Sequence, residues 1–143
     1  MTLTIHVVGI PKGQPRARAF IRRGCNHAGV YDPGTADDWK SCVYLAARQA
    51  MQAAGFTGWA AGIPLVLSIA YRLPRPKRLK DRTGVPHTGK PDLDNLAKAV
   101  LDALTQAGVW ADDAQVCCFD YHVKHYANPS DSTGATIDIE EAQ

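Results

Sequence analysis

Asp92 and Asp94 stand two residues apart at one end of an amphipathic stretch, Asp112 and Asp113 follow its other end, and Lys98 lies between. Clustered carboxylates repel one another and resist joint ionisation unless a cation stands among them. A hard divalent ion, Mg²⁺ first, is their natural partner. If residues 92–94 are extended, Asp92 and Asp94 project to the same side, whereas two helical positions that far apart diverge by more than a right angle. The spacing therefore favours a loop-borne pair. Taken singly, these residues have plainer readings: Asp92 as an N-cap, Asp94 as a favourable first-turn charge, and Lys98, midway between Asp94 and Asp102, as part of an exposed ladder of helical ion pairs. His87, near the acids in sequence, is either a proton carrier or a solvated loop histidine, and is not counted among the site residues.

The elements that must position these groups follow from periodicity and punctuation. Leu3 to Ile10 alternates and is rich in β-branched residues, then Pro11, Gly13 and Pro15 end it; Ala17 to Arg22 is expected as its partner strand. Tyr31 to Gly34 mark a turn. Thr35 then stands as N-cap before acidic Asp37 and Asp38, and a helix runs to about Ala54, with Gly55 as terminator and Trp39, Val43, Ala46, Ala47 and Ala50 on its core face. Pro64 to Leu73 is a strand with both faces covered. Pro74 to Gly89 holds three prolines, two glycines and five basic residues, which excludes a regular element and predicts a mobile basic loop, taken as residues 74–90. A helix follows from about Asp92 to Ala107, closed by Gly108, burying Leu93, Leu96, Val100, Leu104 and Ala107. Val116 to Tyr126 and Thr133 to Glu140 read as strands joined by a turn at Asn128, Pro129 and Ser130.

The 143 residues suit one domain, residues 1–143, and with 45% hydrophobic and 21% charged residues they exclude wholesale disorder and fibrous repeats. No apolar run is long enough to cross a bilayer and Met1 to Ile10 lacks the pattern of a secretory signal, so a cytoplasmic protein without membrane partners is expected. No pair among Cys25, Cys42, Cys117 and Cys118 has the spacing of a zinc knuckle or redox motif, so reduced thiols are expected. A zinc site at Cys25 and His27 with a distant ligand is the competing reading.

Net charge is only +2, but it is unevenly spread: residues 1–31 and 75–90 together carry +10 and the remainder −8. Lys12, Arg16, Arg18, Arg22 and Arg23 make the first segment; Arg75, Lys77, Arg78, Lys80, Arg82 and Lys90, against Asp81, make the second. Two such segments suit the phosphates of a nucleic acid, and solvated loops are the plainer alternative. For DNA contact the candidates are Lys12, Arg16, Arg18, Arg75, Lys77, Arg78, Lys80, Arg82 and Lys90.

The run KPDLDNLAKAVLDALTQAGVWADDAQV, residues 90–116, resembles the central motif of the RusA family of Holliday junction resolvases. It joins an Asp-Leu-Asp-Asn-Leu run, a lysine four residues after the second aspartate, an Asp-Ala-Leu step and a closing Asp-Asp-Ala-Gln-Val. Gly13 to Arg18 and the Tyr31-Asp32-Pro33 turn also look like those of the family's phage and prophage members, more weakly. The resemblance implies an α+β fold, with a small mixed or antiparallel sheet packed with two main helices, in a homodimer. It implies a nuclease that nicks two opposing strands of a four-way DNA junction symmetrically with Mg²⁺ or Mn²⁺ and no small-molecule cofactor, in recombination and repair. Carried over residue by residue, the metal-binding acids fall on Asp92, Asp94 and Asp113 and the active-site lysine on Lys98, while Asp112 is left as a turn or an outer-shell residue. The chemistry suits them: carboxylate-held metal ions can supply a nucleophilic water, neutralise phosphoryl oxygens and assist the leaving oxygen. The alternatives are a nuclease preferring flaps or other branched DNA, and a non-cleaving junction-binding accessory protein.

Overall fold

Alternation along the first strand, β1 (Thr2–Val8), buries Leu3, Ile5 and Val7 and exposes the residues between them, so one face of the sheet is committed to a core from the outset. The protein is described by a computed structural model covering residues 1–15, 18–21, 28–31 and 34–143. Arg16, Arg22, Arg23, Cys25, His27, Asp32 and Pro33 lie outside the described residues, and with them the zinc alternative and part of the turn before the first helix.

Strands β4 (Leu65–Leu73), β5 (Val116–Tyr126) and β6 (Gly134–Glu141) complete a four-stranded sheet in the order β1-β6-β4-β5. The β1–β6 and β4–β6 pairs are antiparallel and β4–β5 is parallel, so the sheet is mixed. Adjacent strands in sequence can be parallel neighbours only through a crossover, and α2 (Leu93–Ala107) supplies it. β5 and β6 are not neighbours, as a simple hairpin at Asn128 to Ser130 would have made them; the chain passes over β4 before returning. A second correction concerns β2 (Arg18–Ile21), expected beside β1. It pairs instead with β3 (Ala28–Tyr31) in a separate two-stranded sheet.

Helix α1 (Asp37–Ala54) begins after Ala36 rather than after a Thr35 cap, and Ala36 makes no side-chain capping bond. Its start rests on the acidic pair Asp37 and Asp38 at the positive end of the helix dipole. Gly55 ends it in the left-handed conformation, donating its N–H to the carbonyls of Met51 and Gln52. Trp39, Val43, Ala47 and Met51 form the buried stripe, with Ala46 and Ala50 packed at its margin. Along α2 the buried residues are Leu96, Ala97, Ala99, Val100, Ala103, Leu104 and Ala107, with Leu93 at the edge. Each large aliphatic side chain removed from water there stabilises the fold by about 1.5–3 kcal/mol. The alanines among them let α2 lie close to its neighbours. Among the described residues no helix is long and apolar enough to cross a membrane.

The basic loop holds more structure than its composition suggested. A 3₁₀ turn at Lys77–Leu79 buries Leu79, and the following residues are stitched to β5 by Tyr126 N–H to the Val85 carbonyl at 3.0 Å and His87 N–H to the Lys124 carbonyl at 3.1 Å.

Gly134 marks the tightest point of the β1–β6 pairing. Its φ is +152°, and a Cβ there would lie 1.8 Å from the Val7 carbonyl oxygen. Gly134→Ala should therefore destabilise the fold by on the order of 3 kcal/mol, read as a lower urea midpoint with an unchanged m-value.

Candidate active site

The N-terminus of α2 is where the acids meet the basic segments. Asp92 is the N-cap, in an extended conformation (φ −68°, ψ 149°), yet its side chain makes no capping hydrogen bond. The exposed carboxylate is thus not consumed by the helix it precedes. Asp94 already belongs to the first turn, which corrects the expectation of a loop-borne pair; its Oδ1 accepts the Asn95 N–H at 2.9 Å. Both acids sit at the positive end of the helix dipole.

The two open on different clefts. Asp92 lines one of about 410 Å³ with Gly13, Gln14, Pro15, Thr35, Lys90, Pro91 and Asn95. Asp94 lines another of about 530 Å³ with Leu93, Ala97, Lys98, Leu101, Phe119 and His122. The 11–15 loop reaches the first cleft because Gln14 N–H bonds the Asn95 carbonyl at 2.8 Å and its side chain takes Lys40 Nζ at 3.1 Å. Gly13 permits that approach, since a Cβ there would stand 2.9 Å from Asn95 Cβ and 3.2 Å from Pro91 Cβ. Lys12 and Lys90 are thereby brought to the same end of the molecule as the two acids.

Lys98 is exposed and pairs with Asp102 at 3.2 Å, one turn onward, rather than with Asp94; Lys40 approaches the same Asp102 at 3.8 Å. The helical ladder is therefore realised in its second half. An exposed pair of this kind contributes about 0–1 kcal/mol, too little to hold Lys98 against a better anion.

Asp113 is elsewhere. It opens the short 3₁₀ turn Asp113–Gln115 beyond the C-terminus of α2, so a helix of 15 residues, about 20 Å long, lies between it and Asp94. Among the described residues no three of His, Cys, Asp or Glu converge as a metal site. Asp112 caps the turn by accepting the Ala114 N–H at 2.9 Å, while Gln115 Oε1 returns to the Asp112 N–H at 3.0 Å in a capping box. Buried Gln115 spends its amide on the carbonyls of Ala60 and Ile63, at 2.9 and 3.1 Å, which fixes the turn to the body of the protein.

Arg75 was a candidate for DNA contact, and the structure assigns it to the scaffold. Its guanidinium donates to the carbonyls of Leu79 at 3.3 Å, Lys80 at 2.7 Å and Ala127 at 3.2 Å, and to that of Arg82, so the basic loop is folded around it. Arg78 is partly engaged, bonding the Tyr126 hydroxyl at 3.2 Å with its guanidinium over the ring. Lys77, Lys80 and Arg82 remain exposed. His87 packs on Tyr126 with ring centroids 4.7 Å apart, and burial together with the nearby Lys124 ammonium holds its pKa below the usual histidine value. It is a packing residue. Arg18 has only its backbone described, within β2.

Phe119 and His122 of the Asp94 cleft were missed by sequence reasoning. Plain alternation puts residues three apart on opposite faces of a strand. Here Phe119 is opposite Leu67 and His122 opposite Ile69, so an irregularity in β5 returns both to the helix side, where their rings stack at 4.9 Å. His122 Nε2 is hydrogen-bonded to the Tyr71 hydroxyl at 3.0 Å, and burial lowers its pKa while raising that of Tyr71. Nothing in the residue pattern of β5 announces the shift.

The class of protein is thus an α+β domain that sets two solvent-facing carboxylates at a helix N-terminus among basic loops. The comparisons give that class its family. The chain belongs to the RusA family: the family model described as endodeoxyribonuclease RusA matches residues 9–140. Over 51 residues it is 49% identical to the crossover junction endodeoxyribonuclease RusA of Escherichia coli (strain K12), and equally to that of Enterobacteria phage 82. Those matches cover 36% of this chain and 41% of each relative. Over 119 residues it is 34% identical to the uncharacterized protein YqaN of Bacillus subtilis (strain 168), covering 77% of this chain and 78% of that one.

If Arg75 is the hub of the basic loop, Arg75→Ala leaves several carbonyls without their donor and should open residues 76–84 to trypsin while the rest of the domain resists. Limited proteolysis followed by mass spectrometry reads this directly; unchanged resistance of the loop would return Arg75 to the list of phosphate ligands.

Proposed function

We propose that this chain is a Mg²⁺- or Mn²⁺-dependent endodeoxyribonuclease that acts as a homodimer on four-way DNA junctions, nicking two opposing strands in recombination and repair. The observation that carries the reading is Asp92, an N-cap residue whose carboxylate makes no cap, set two residues from Asp94 within the family's central motif. Named relatives matched over 51 residues are crossover junction endodeoxyribonucleases, which supports a junction as substrate.

The donor set fits the cation in kind, since Mg²⁺ retains several waters and is typically held by one or two carboxylates together with substrate phosphate. Held at Asp92 and Asp94, such an ion would neutralise the phosphoryl oxygens and lower the pKa of a bound water. The chain's own residues do the rest. Asp92 and Asp94 face solvent, so a phosphodiester can approach without reorganising the fold. Lys98 exchanges its weak partner Asp102 for the more highly charged phosphate, placing a point cation beside the scissile group. Lys12, Lys90, Lys77, Lys80 and Arg82 supply the charge that draws DNA toward a site whose acids would otherwise repel it.

Asp113 accounts for the dimer. One protomer holds it at the far end of α2, so a site using all three acids requires Asp113 from a second copy, and twofold symmetry then builds two such sites at once. Two equivalent sites are what paired nicking of opposing strands needs.

Asp92→Asn, Asp94→Asn and Asp113→Asn should each abolish cleavage while junction binding in a chelator is kept or tightened, because a charge repelling phosphate is removed. Mixing Asp94→Asn with Asp113→Asn protein should restore nicking, since one of the two shared sites in a mixed dimer then holds no substituted acid. A dead mixture, with subunit exchange demonstrated, would place each site within one protomer; loss of binding equal to loss of cutting in all three variants would make these acids structural.

Lys98→Ala should cut cleavage by on the order of a hundredfold while junction affinity changes little, because one phosphate contact is a small share of affinity and a large share of transition-state stabilisation. Single-turnover rates at saturating protein, set beside gel-shift affinities, separate the two.

A further inference from the structure

Lys124 sits on β5 opposite Tyr71, half-buried, and its side chain reaches back to the segment that leads into α2. Its Nζ donates to the Gly89 carbonyl at 2.6 Å and to the Pro91 carbonyl at 2.8 Å. Its own backbone carbonyl accepts the His87 N–H at 3.1 Å. One residue thus holds the chain at 87, 89 and 91, every second position up to the residue before Asp92. The segment has little other means of fixing itself, because Pro91 has no N–H and Lys90 and Gly89 are exposed. Two carbonyls converging on one point present only acceptors, and an ammonium, with three donors and no acceptor, is the side chain that satisfies both. The same carbonyls would be left without a donor by any apolar residue at this position.

We propose that Lys124 is a positioning residue for the cation site, fixing the approach to α2 so that the Asp92 carboxylate is held clear of its own helix and presented toward the ligand. This rests on the reading of Asp92 as a cation ligand. Lys124 touches neither substrate nor cation; it acts through the backbone of residues 89–91. The geometry explains why Asp92 can occupy an N-cap position without capping: a tethered segment sets the direction of its side chain, where an untethered one would relax to the usual Asp-to-backbone bond.

The sign of the effect separates positioning from plain electrostatics. Removing a nearby positive charge would by Coulomb's law alone tighten the binding of a cation, whereas loss of a tether weakens it. The test titrates the full-length protein with Mn²⁺ and follows the free ion by electron paramagnetic resonance, with circular dichroism verifying the fold. Lys124→Met should raise the Mn²⁺ dissociation constant by about tenfold, and Lys124→Arg, which keeps donors and charge, should stay within about twofold of the parent. In an Asp92→Asn background Lys124→Met should add no more than about twofold, because its route to the ion has already been removed. Should Lys124→Met not fold, Lys124→Gln serves the same comparison, its amide being too short to span both carbonyls. Unchanged or tighter Mn²⁺ binding in the folded variant overturns the proposal, as does a full additional loss in the Asp92→Asn background, which would mark a general structural role. A parent protein that binds no Mn²⁺ overturns both this proposal and the metal reading of the site, whereas a parent that binds it and variants that bind equally well overturn the proposal alone.

Discussion

Leu96, Val100 and Leu104 are wholly buried, and their packing between the sheet and α1 fixes where both ends of α2 emerge. The remaining features of the site depend on this constraint. The crossover role of α2 obliges it to run back between parallel strands β4 and β5, so its N-terminus meets the basic loop and its C-terminus leads into the turn that carries Asp113. A rigid rod of about 20 Å therefore stands between acids that the sequence brings together as one motif.

That separation reconciles a motif with its geometry. A run of residues from 90 to 116 that reads as one motif places its acids at opposite ends of a helix. Asp92 shares its cleft with Lys90 and the 13–15 segment, while Asp113 sits in a turn braced by a capping box and a buried glutamine.

The basic loop shows how charge can be displayed without being spent. Arg75 takes the carbonyls around it, and Lys124 takes those nearer the helix, so the segment is folded by cations while Lys77, Lys80 and Arg82 stay exposed. Counting basic residues could not distinguish the two uses, because a guanidinium hydrogen-bonded to main chain and one awaiting phosphate have the same composition.

Local chemistry was enough to read the bounds of α2, with Gly108 as its left-handed stop, the stripe on each helix and the alternating face of β1, whereas β4, expected to be covered on both faces, buries chiefly the side of Leu65, Leu67, Ile69, Tyr71 and Leu73. Those features are set within a few residues, by periodicity, capping and the conformational freedom of glycine. The family was legible too, since its motif is continuous in sequence. What only the tertiary structure decided involves pairs distant along the chain: β6 inserted between β1 and β4, β2 turned away from β1 to β3, Lys98 leaning toward Asp102, and His122 brought beside Phe119 by an irregular register. Strand order and register are chosen by which faces can be buried together, a global condition that no local stretch encodes. For the same reason the sequence named Asp92, Asp94 and Asp113 as one set, and the fold, by burying the helix between them, set Asp113 apart from the other two.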